Sequence, residues 1–213
     1  MGCFMVGPME IRAVLFDLDG TLLDSLADLA CAVNAARQHL GLSPLPDDRV
    51  SEGLGEGLGH LLRHSLPARF HSDLEASRRV FLRHYGDNLL NRSRPFPGVA
   101  EVLDEITCPQ ALVTNKPRMF GAPILAGLSW SFDAVVFGDD SPERKPSGRP
   151  LHIALNKLRV PPEHAVFIGD HVVDLLAAQD AGVFFRAVPW AKGLDDHRLE
   201  SLGSLLHIVK GEK

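Results

Sequence analysis

Asp17 and Asp19 stand two residues apart in Asp17-Leu18-Asp19-Gly20-Thr21, directly after the apolar run Ile11 to Phe16. Side chains at i and i+2 of an extended chain point to the same side, so this segment delivers two carboxylates together. A run of Val, Leu, Ile and Phe bounded by Gly reads as a buried strand. In an open parallel sheet, ligands bind beyond the carboxyl ends of the strands. Two carboxylates held there without a partner are costly, because burial and mutual repulsion both disfavour their charges. A bound cation is the simplest remedy. With it, one carboxylate can act as a nucleophile while the other moves protons.

Three further segments place reactive groups at or just beyond strand ends. Ala111-Leu112-Val113 runs into Thr114-Asn115-Lys116, and Phe137-Gly138-Asp139-Asp140 leads through a turn to Lys145-Pro146. Val166-Phe167-Ile168 runs into Gly169-Asp170, with Asp174 four residues on at a helix start. A parallel sheet would gather all three around Asp17 and Asp19. Asp170 beside Asp17 offers the hard oxygen ligands that Mg²⁺ prefers. Lys145 adds positive charge, and Thr114 with backbone N–H groups can hold phosphate oxygens. Such a set can carry a whole phosphatase cycle. Asp19 would protonate the leaving oxygen and then activate water against an acyl phosphate.

The elements that must position these groups are legible from periodicity. Strands are expected at Ile11–Phe16 and near Ala111–Thr114, Ala134–Phe137, Ala165–Gly169 and Val183–Val188. Helices are expected near Val99–Ile106, Arg118–Ala126, Pro150–Leu158, Val172–Ala181 and His197–Val209. Alternation of this kind implies a parallel sheet covered by helices, an α/β Rossmann-like doubly wound core. Between the first strand and the rest, residues 25–96 read as all-helical. Leu26, Leu29, Ala30, Val33, Ala36 and Leu40 recur at helical spacing, with Gly41 as a stop. Ser72-Asp73-Leu74-Glu75 fits a capping box that opens a helix bearing Val80, Phe81 and Tyr85. The expected division is therefore a core of residues 1–24 and 97–213, with residues 25–96 inserted as a helical cap over the site.

Composition narrows the partners. The chain has 213 residues, a net charge of −5 and no dense Lys/Arg stripe, which argues against a nucleic-acid surface. Cys3, Cys31 and Cys108 are odd in number and widely spread, as expected of reduced thiols in a cytoplasmic protein. Met1 to Val6 is too short and too poor in basic residues for a signal peptide, and Met5 or Met9 would serve equally as start. No apolar run reaches the roughly 20 residues of a membrane span. The expected partner is a small phosphorylated metabolite, with no nucleic acid or membrane, for a monomer or homodimer.

In this order, the residues resemble the haloacid dehalogenase superfamily over essentially the whole chain. The family's first motif, Asp-x-Asp-x-Thr, is met by Asp17, Asp19 and Thr21, and its second by Thr114. The third is Lys145-Pro146, and the fourth, Gly-Asp-x-x-x-Asp, is Gly169, Asp170 and Asp174. The resemblance implies Asp17 as nucleophile and Mg²⁺ ligand, and Asp19 as general acid/base with its backbone carbonyl on the metal. It implies Asp170 as the remaining protein ligand, Asp174 as a supporting carboxylate, and Thr114, Asn115 and Lys145 as holders of the phosphoryl group. Val113-Thr114-Asn115-Lys116-Pro117 and the cap segment Gly53 to Leu58 are similar to bacterial phosphoglycolate phosphatases, so 2-phosphoglycolate is the leading substrate. That cap segment is richer in Gly than the group's pattern, and the stretch from Gly98 to Ala111 is short, implying a stubby helix.

Blander roles are expected for several neighbours of the motifs. Asp24 and Ser25 read as a helix cap and hinge, and Lys116 as a solvated lysine before Pro117. Asp174 suits a helix N-terminus as well as a metal, and His171 has no evident catalytic partner. Arg63 and His64 are remote candidates for a substrate carboxylate. The rival functions are a sugar-phosphate phosphatase or a phosphomutase on the same aspartyl phosphate, and a non-catalytic phosphate-binding regulator.

Overall fold

A computed structural model of the chain describes residues 10–211; Cys3 and the alternative starts lie outside them. Strand β1 (Ala13–Phe16) is buried at all four positions. A short ribbon of β2 (Leu23–Asp24) and β3 (Arg94–Pro95) follows it in space, antiparallel, and between these two strands the chain makes four helices. They are α1 (Leu26–His39), α2 (Asp47–Ser51), α3 (Leu58–Ser65) and α4 (Leu74–Asp87). The chain then alternates: α5 (Val99–Glu105), β4 (Gln110–Val113), α6 (Arg118–Gly127), β5 (Ala134–Val136), α7 (Arg149–Leu158), β6 (Ala165–Gly169), α8 (Val172–Ala181), β7 (Phe184–Ala187) and α9 (Ser204–Lys210).

The sheet order is β5-β4-β1-β6-β7, with every pairing parallel. The chain runs outward from β1 through β4 to β5, then crosses back to β6 and β7 on the other side. Strand β1 is therefore central, and the loops leaving β4 and β6 diverge around its carboxyl end, where a crevice opens. Register aligns the ends: Phe16 is level with Leu112 on one side and Ile168 on the other. The N–H of Asp17 extends the ladder by donating to the Ile168 carbonyl at 3.0 Å.

Among the described residues, two buried clusters hold the fold together. The larger runs through the sheet and includes Leu15, Phe16, Leu112, Phe167 and Ile168. The smaller is built from the inserted helices, with Leu29, Val33, Leu62, Phe81 and Tyr85, and it takes in Phe120 from α6. Helix α1 stops as its pattern requires, with Gly41 at φ +68° in the left-handed region just past its end.

Three elements differ from expectation, the first being β3, which lies inside the block 25–96 expected to be all-helical. The segment 197–209 is not one helix: a 3₁₀ turn at Asp195–His197 is followed by an irregular stretch, and α9 begins only at Ser204. Leu199 and Leu202 in that stretch are buried in the main core, so packing overrides the helical period. The capping box at Ser72 is also not formed. Residues Ala68–Asp73 make a 3₁₀ helix leading straight into α4, and the Ser72 hydroxyl donates to Asp73 instead. Helix α5 is the stubby helix anticipated, with seven residues.

The return crossing from the helical block is clasped by Asp28 on α1. Its carboxylate accepts from the Arg92 N–H at 3.0 Å, the Ser93 N–H at 2.8 Å and the Ser93 hydroxyl at 2.6 Å. Burial alone would raise its pKa, but these donors outweigh it and hold it below the ordinary carboxylate value. Asp28→Ala leaves two N–H groups without their acceptor and is expected to cost about 3 kcal/mol by urea unfolding at pH 7. A carboxyl with a depressed folded pKa stabilises above its unfolded value, so the gap between wild type and variant should shrink below about pH 4.

Candidate active site

The carboxyl ends of β1, β4 and β6 deliver Asp17, Thr114 and Asp170 side by side. Asp17 is 8% exposed, and a single oxygen from each of Asp17, Asp170 and Asp174 lies within 4.8 Å of the others. Lys145, 4% exposed, lies between two of them: its Nζ donates to Asp17 Oδ1 at 2.6 Å and to Asp174 Oδ1 at 2.7 Å. Asp174 Oδ2 accepts from the backbone N–H of His171 at 3.1 Å and of Asp170 at 3.3 Å. Both oxygens of Asp174 are thus committed to a lysine and a loop. Asp170 Oδ1 accepts from the Thr21 hydroxyl at 2.7 Å.

This crowding shifts protonation. Burial pushes the Asp17 carboxyl up to about 7, with Lys145 pulling it down and Asp174 adding to the rise. Burial, then Asp174 and Asp17, raise Asp170 well above the usual carboxylate range. Burial would lower the Lys145 ammonium, but Asp17 and Asp174 outweigh it and hold its pKa above the ordinary value. One lysine therefore faces several acids that lack full compensation. Hard oxygens so placed fit a divalent cation such as Mg²⁺, with Asp17 and Asp170 as the available carboxylates.

Gly20 makes this approach possible. It sits at φ +86°, and a Cβ there would run into the Asp170 carboxylate. Its carbonyl accepts from Trp190 Nε1 at 2.7 Å, and the indole stacks on Phe96 with ring centroids 4.3 Å apart. Nothing in the spacing of the motifs pointed to Trp190, which follows β7 far along the chain.

Asp19 has different neighbours. Ser25 occupies the N-cap position of α1 without capping it, and its hydroxyl donates to Asp19 Oδ1 at 2.6 Å. Asp24 serves the helix instead, accepting from the Leu26 N–H at 3.4 Å. Lys116 is not solvated. It is 7% exposed, its Nζ donates to Asp19 at 2.8 and 3.0 Å, and it also donates to the Tyr85 hydroxyl at 2.6 Å. Burial opposes this charge, but Asp19 and Tyr85 hold the ammonium pKa above its usual value. A cation facing a carboxylate from across the chain leaves no local period to read. Tyr85 is the chain's one tyrosine, and its position among buried apolar residues of a helix was the available signal.

Thr114 is buried at the edge of the cleft. The Asn115 side chain is fully employed: Nδ2 donates to the carbonyls of Lys145 at 2.9 Å and Gly55 at 3.0 Å, and Oδ1 accepts from the Lys145 N–H. Asn115 thus sets the Lys145 backbone and ties the glycine-rich loop of the helical block to the sheet. That loop needs its glycine, because a Cβ on Gly55 (φ +95°) would meet the His171 ring at 2.8 Å. His171 itself caps α8, its Nδ1 accepting from the Val173 N–H at 3.2 Å. Together these residues enclose a cleft of about 330 Å³, walled on the helical side by Leu54, Leu58, Leu61 and Phe81. Arg63 and His64 are exposed and do not line it.

Comparison with known proteins agrees with this geometry. Residues 14–188 match the family model described as haloacid dehalogenase-like hydrolase. A phosphoglycolate phosphatase of Chromobacterium violaceum is 36% identical over 189 residues, covering 84% of this chain and 85% of that one. The enzyme of the same name from Nitrosospira multiformis is 35% identical over 205 residues, covering 91% and 90%. A crystal structure of a predicted phosphoglycolate phosphatase from Haemophilus somnus superposes with a TM-score of 0.83 at 28% identity, covering 95% of this chain and 99% of that one.

Removing Lys145 tests the charge balance directly. Lys145→Met leaves Asp17 and Asp174 buried without their cation and is expected to cost about 3–5 kcal/mol in urea unfolding at pH 7 with chelator present. A loss below about 1 kcal/mol would mean that the carboxylates are compensated without it.

Proposed function

The chain belongs to the haloacid dehalogenase-like hydrolases, and we propose that it is a Mg²⁺-dependent phosphomonoesterase acting through an aspartyl phosphate, with 2-phosphoglycolate as its substrate. The observation that carries this reading is the meeting of Asp17, Asp170 and Lys145 beyond the ends of β1 and β6, with Asp19 two residues along the chain from Asp17. The relatives' shared name, phosphoglycolate phosphatase, supports the choice of substrate.

The roles follow from the positions. Asp17 and Asp170, with the Asp19 carbonyl, would hold Mg²⁺, which when bound offsets the repulsion between the Asp17 carboxylate and an anionic phosphate. An Asp17 oxygen attacks phosphorus as the bond to the ester oxygen breaks, and Asp19 gives that oxygen its proton. Asp19 then takes a proton from water, which attacks the aspartyl phosphate, frees phosphate and restores the Asp17 carboxylate. Thr114, Lys145 and the main chain of Asn115 hold the phosphoryl oxygens. Asp174 keeps Lys145 and the loop after β6 in place. Residues 25–96 form the lid, hinged near β2 and β3, over a core of residues 1–24 and 97–213.

No helix of the described residues is long and apolar enough to cross a membrane. The proposed setting is the cytoplasm, for a monomer or homodimer with neither nucleic acid nor membrane as partner.

Phosphate release from a panel containing 2-phosphoglycolate and several sugar phosphates tests the assignment. Phosphoglycolate should give the highest kcat/KM, lost with chelator and regained with Mg²⁺. An isomeric sugar phosphate in place of free phosphate would make the protein a mutase. Asp17→Asn should fold normally and lose more than roughly 10³-fold in kcat; near-wild-type turnover would overturn the mechanism.

A further inference from the structure

The mechanism above gives Lys116 no task, yet its position is costly to maintain. A buried ammonium must be compensated, and Lys116 is compensated from two sides: by Asp19 of the sheet layer at 2.8 and 3.0 Å, and by the hydroxyl of Tyr85 on α4 at 2.6 Å. Its Nζ also lies 4.7 Å from the Tyr85 ring centroid. Resting on the phosphatase reading, we propose that Lys116 is the specificity-determining residue of the cleft, and that it receives a carboxylate carried one carbon from the scissile ester oxygen.

Three observations converge on this. The first is the inventory of charge. The lysines lining the cleft are Lys116, Lys145 and Lys192. Lys145 faces Asp17, and Lys192 is exposed at the rim. Lys116 is therefore the buried ammonium on the leaving-group side. The second is reach. The ester oxygen must lie against the Asp19 carboxyl to take its proton, and Nζ sits within 3.0 Å of that same carboxyl. A substituent on the carbon next to the ester oxygen then falls beside Nζ. The ammonium has three donors; the two Asp19 oxygens can share one and Tyr85 takes another, so one remains for a ligand.

The third is the wall. Leu54, Leu58, Leu61, Phe81 and Phe120 give the helical side of the cleft a largely apolar surface, with Ser51 as a polar side chain beside them. Such a wall offers few partners to the hydroxyls of a polyol, which penalises sugar phosphates relative to a short two-carbon acid. Tyr85 is the positioning residue: its ring is packed by Phe81 and Phe120, and its hydroxyl fixes the direction of Nζ.

The test compares 2-phosphoglycolate with n-propyl phosphate, a neutral leaving group of similar size, in wild type, Lys116→Met, Lys116→Gln and Tyr85→Phe. The readout is the ratio of the two kcat/KM values, so damage to Asp19 common to both substrates cancels. In wild type the ratio should favour phosphoglycolate strongly. In either Lys116 variant it should fall by roughly 30-fold or more, chiefly through KM for phosphoglycolate, and by several-fold in Tyr85→Phe. An unchanged ratio in a folded Lys116 variant means that the lysine merely orients Asp19, and overturns the proposal. Should both Lys116 variants fail to fold, an unchanged ratio in Tyr85→Phe overturns it in the same way. Wild type that hydrolyses propyl phosphate as well as phosphoglycolate also refutes the subsite while the phosphatase reading stands. Wild type that hydrolyses no phosphomonoester removes the reading itself, and the subsite with it.

Discussion

Mutual repulsion among Asp17, Asp170 and Asp174 is the constraint on which the site is built. Three carboxylates gathered beyond the ends of β1 and β6, two of them almost sealed from solvent, are tolerable only with cationic compensation. Lys145 supplies part of it and is therefore gripped on both sides: its side chain by Asp17 and Asp174, its backbone by Asn115. The remaining imbalance, which raises the Asp17 and Asp170 carboxyls above their ordinary range, would suit a divalent cation and an approaching phosphate. The β-sheet order makes this crowding possible, because only at a central strand can acids from neighbouring parallel strands converge.

Asp19 adds to the rise at Asp17 but has its own set of partners. Its partners are a hydroxyl from the start of α1 and a lysine from the end of β4, and that lysine in turn touches a tyrosine of the inserted helices. Asp19 is thus bound to the helical block through Lys116 and Tyr85, while Asp17 is bound to Lys145 on the sheet side. Asn115 adds a second tie by holding the Gly55 carbonyl. If the helical block acts as the proposed lid, its opening would break both ties and so be linked to the placement of Asp19.

Much of this was legible in the sequence because it is local. The strand before Asp17, the helical period of α1 and its stop at Gly41, and the Gly169-Asp170 turn into α8 each rest on short-range pattern. The parallel sheet then follows from alternation alone. What escaped was contact at long separation. Lys116 and Asp19 are 97 residues apart and Trp190 and Gly20 are 170 apart, and no periodicity encodes such a meeting. Ser25 was legible as a helix start but not as a partner of Asp19, because its hydroxyl has two possible uses and tertiary structure selects one. The segment 197–209 failed for the opposite reason: its helical period was outweighed by the burial of Leu199 and Leu202 in the main core.

In the proposed mechanism Asp17 becomes covalently phosphorylated during each turnover. The most direct measurement is rapid acid quenching during steady-state turnover of phosphoglycolate, followed by peptide mass spectrometry. One phosphoryl group is expected, on the peptide containing Asp17 and on no other, disappearing as substrate is exhausted. Turnover with no phosphorylated peptide under any quench time, or with the label on a different residue, would contradict it.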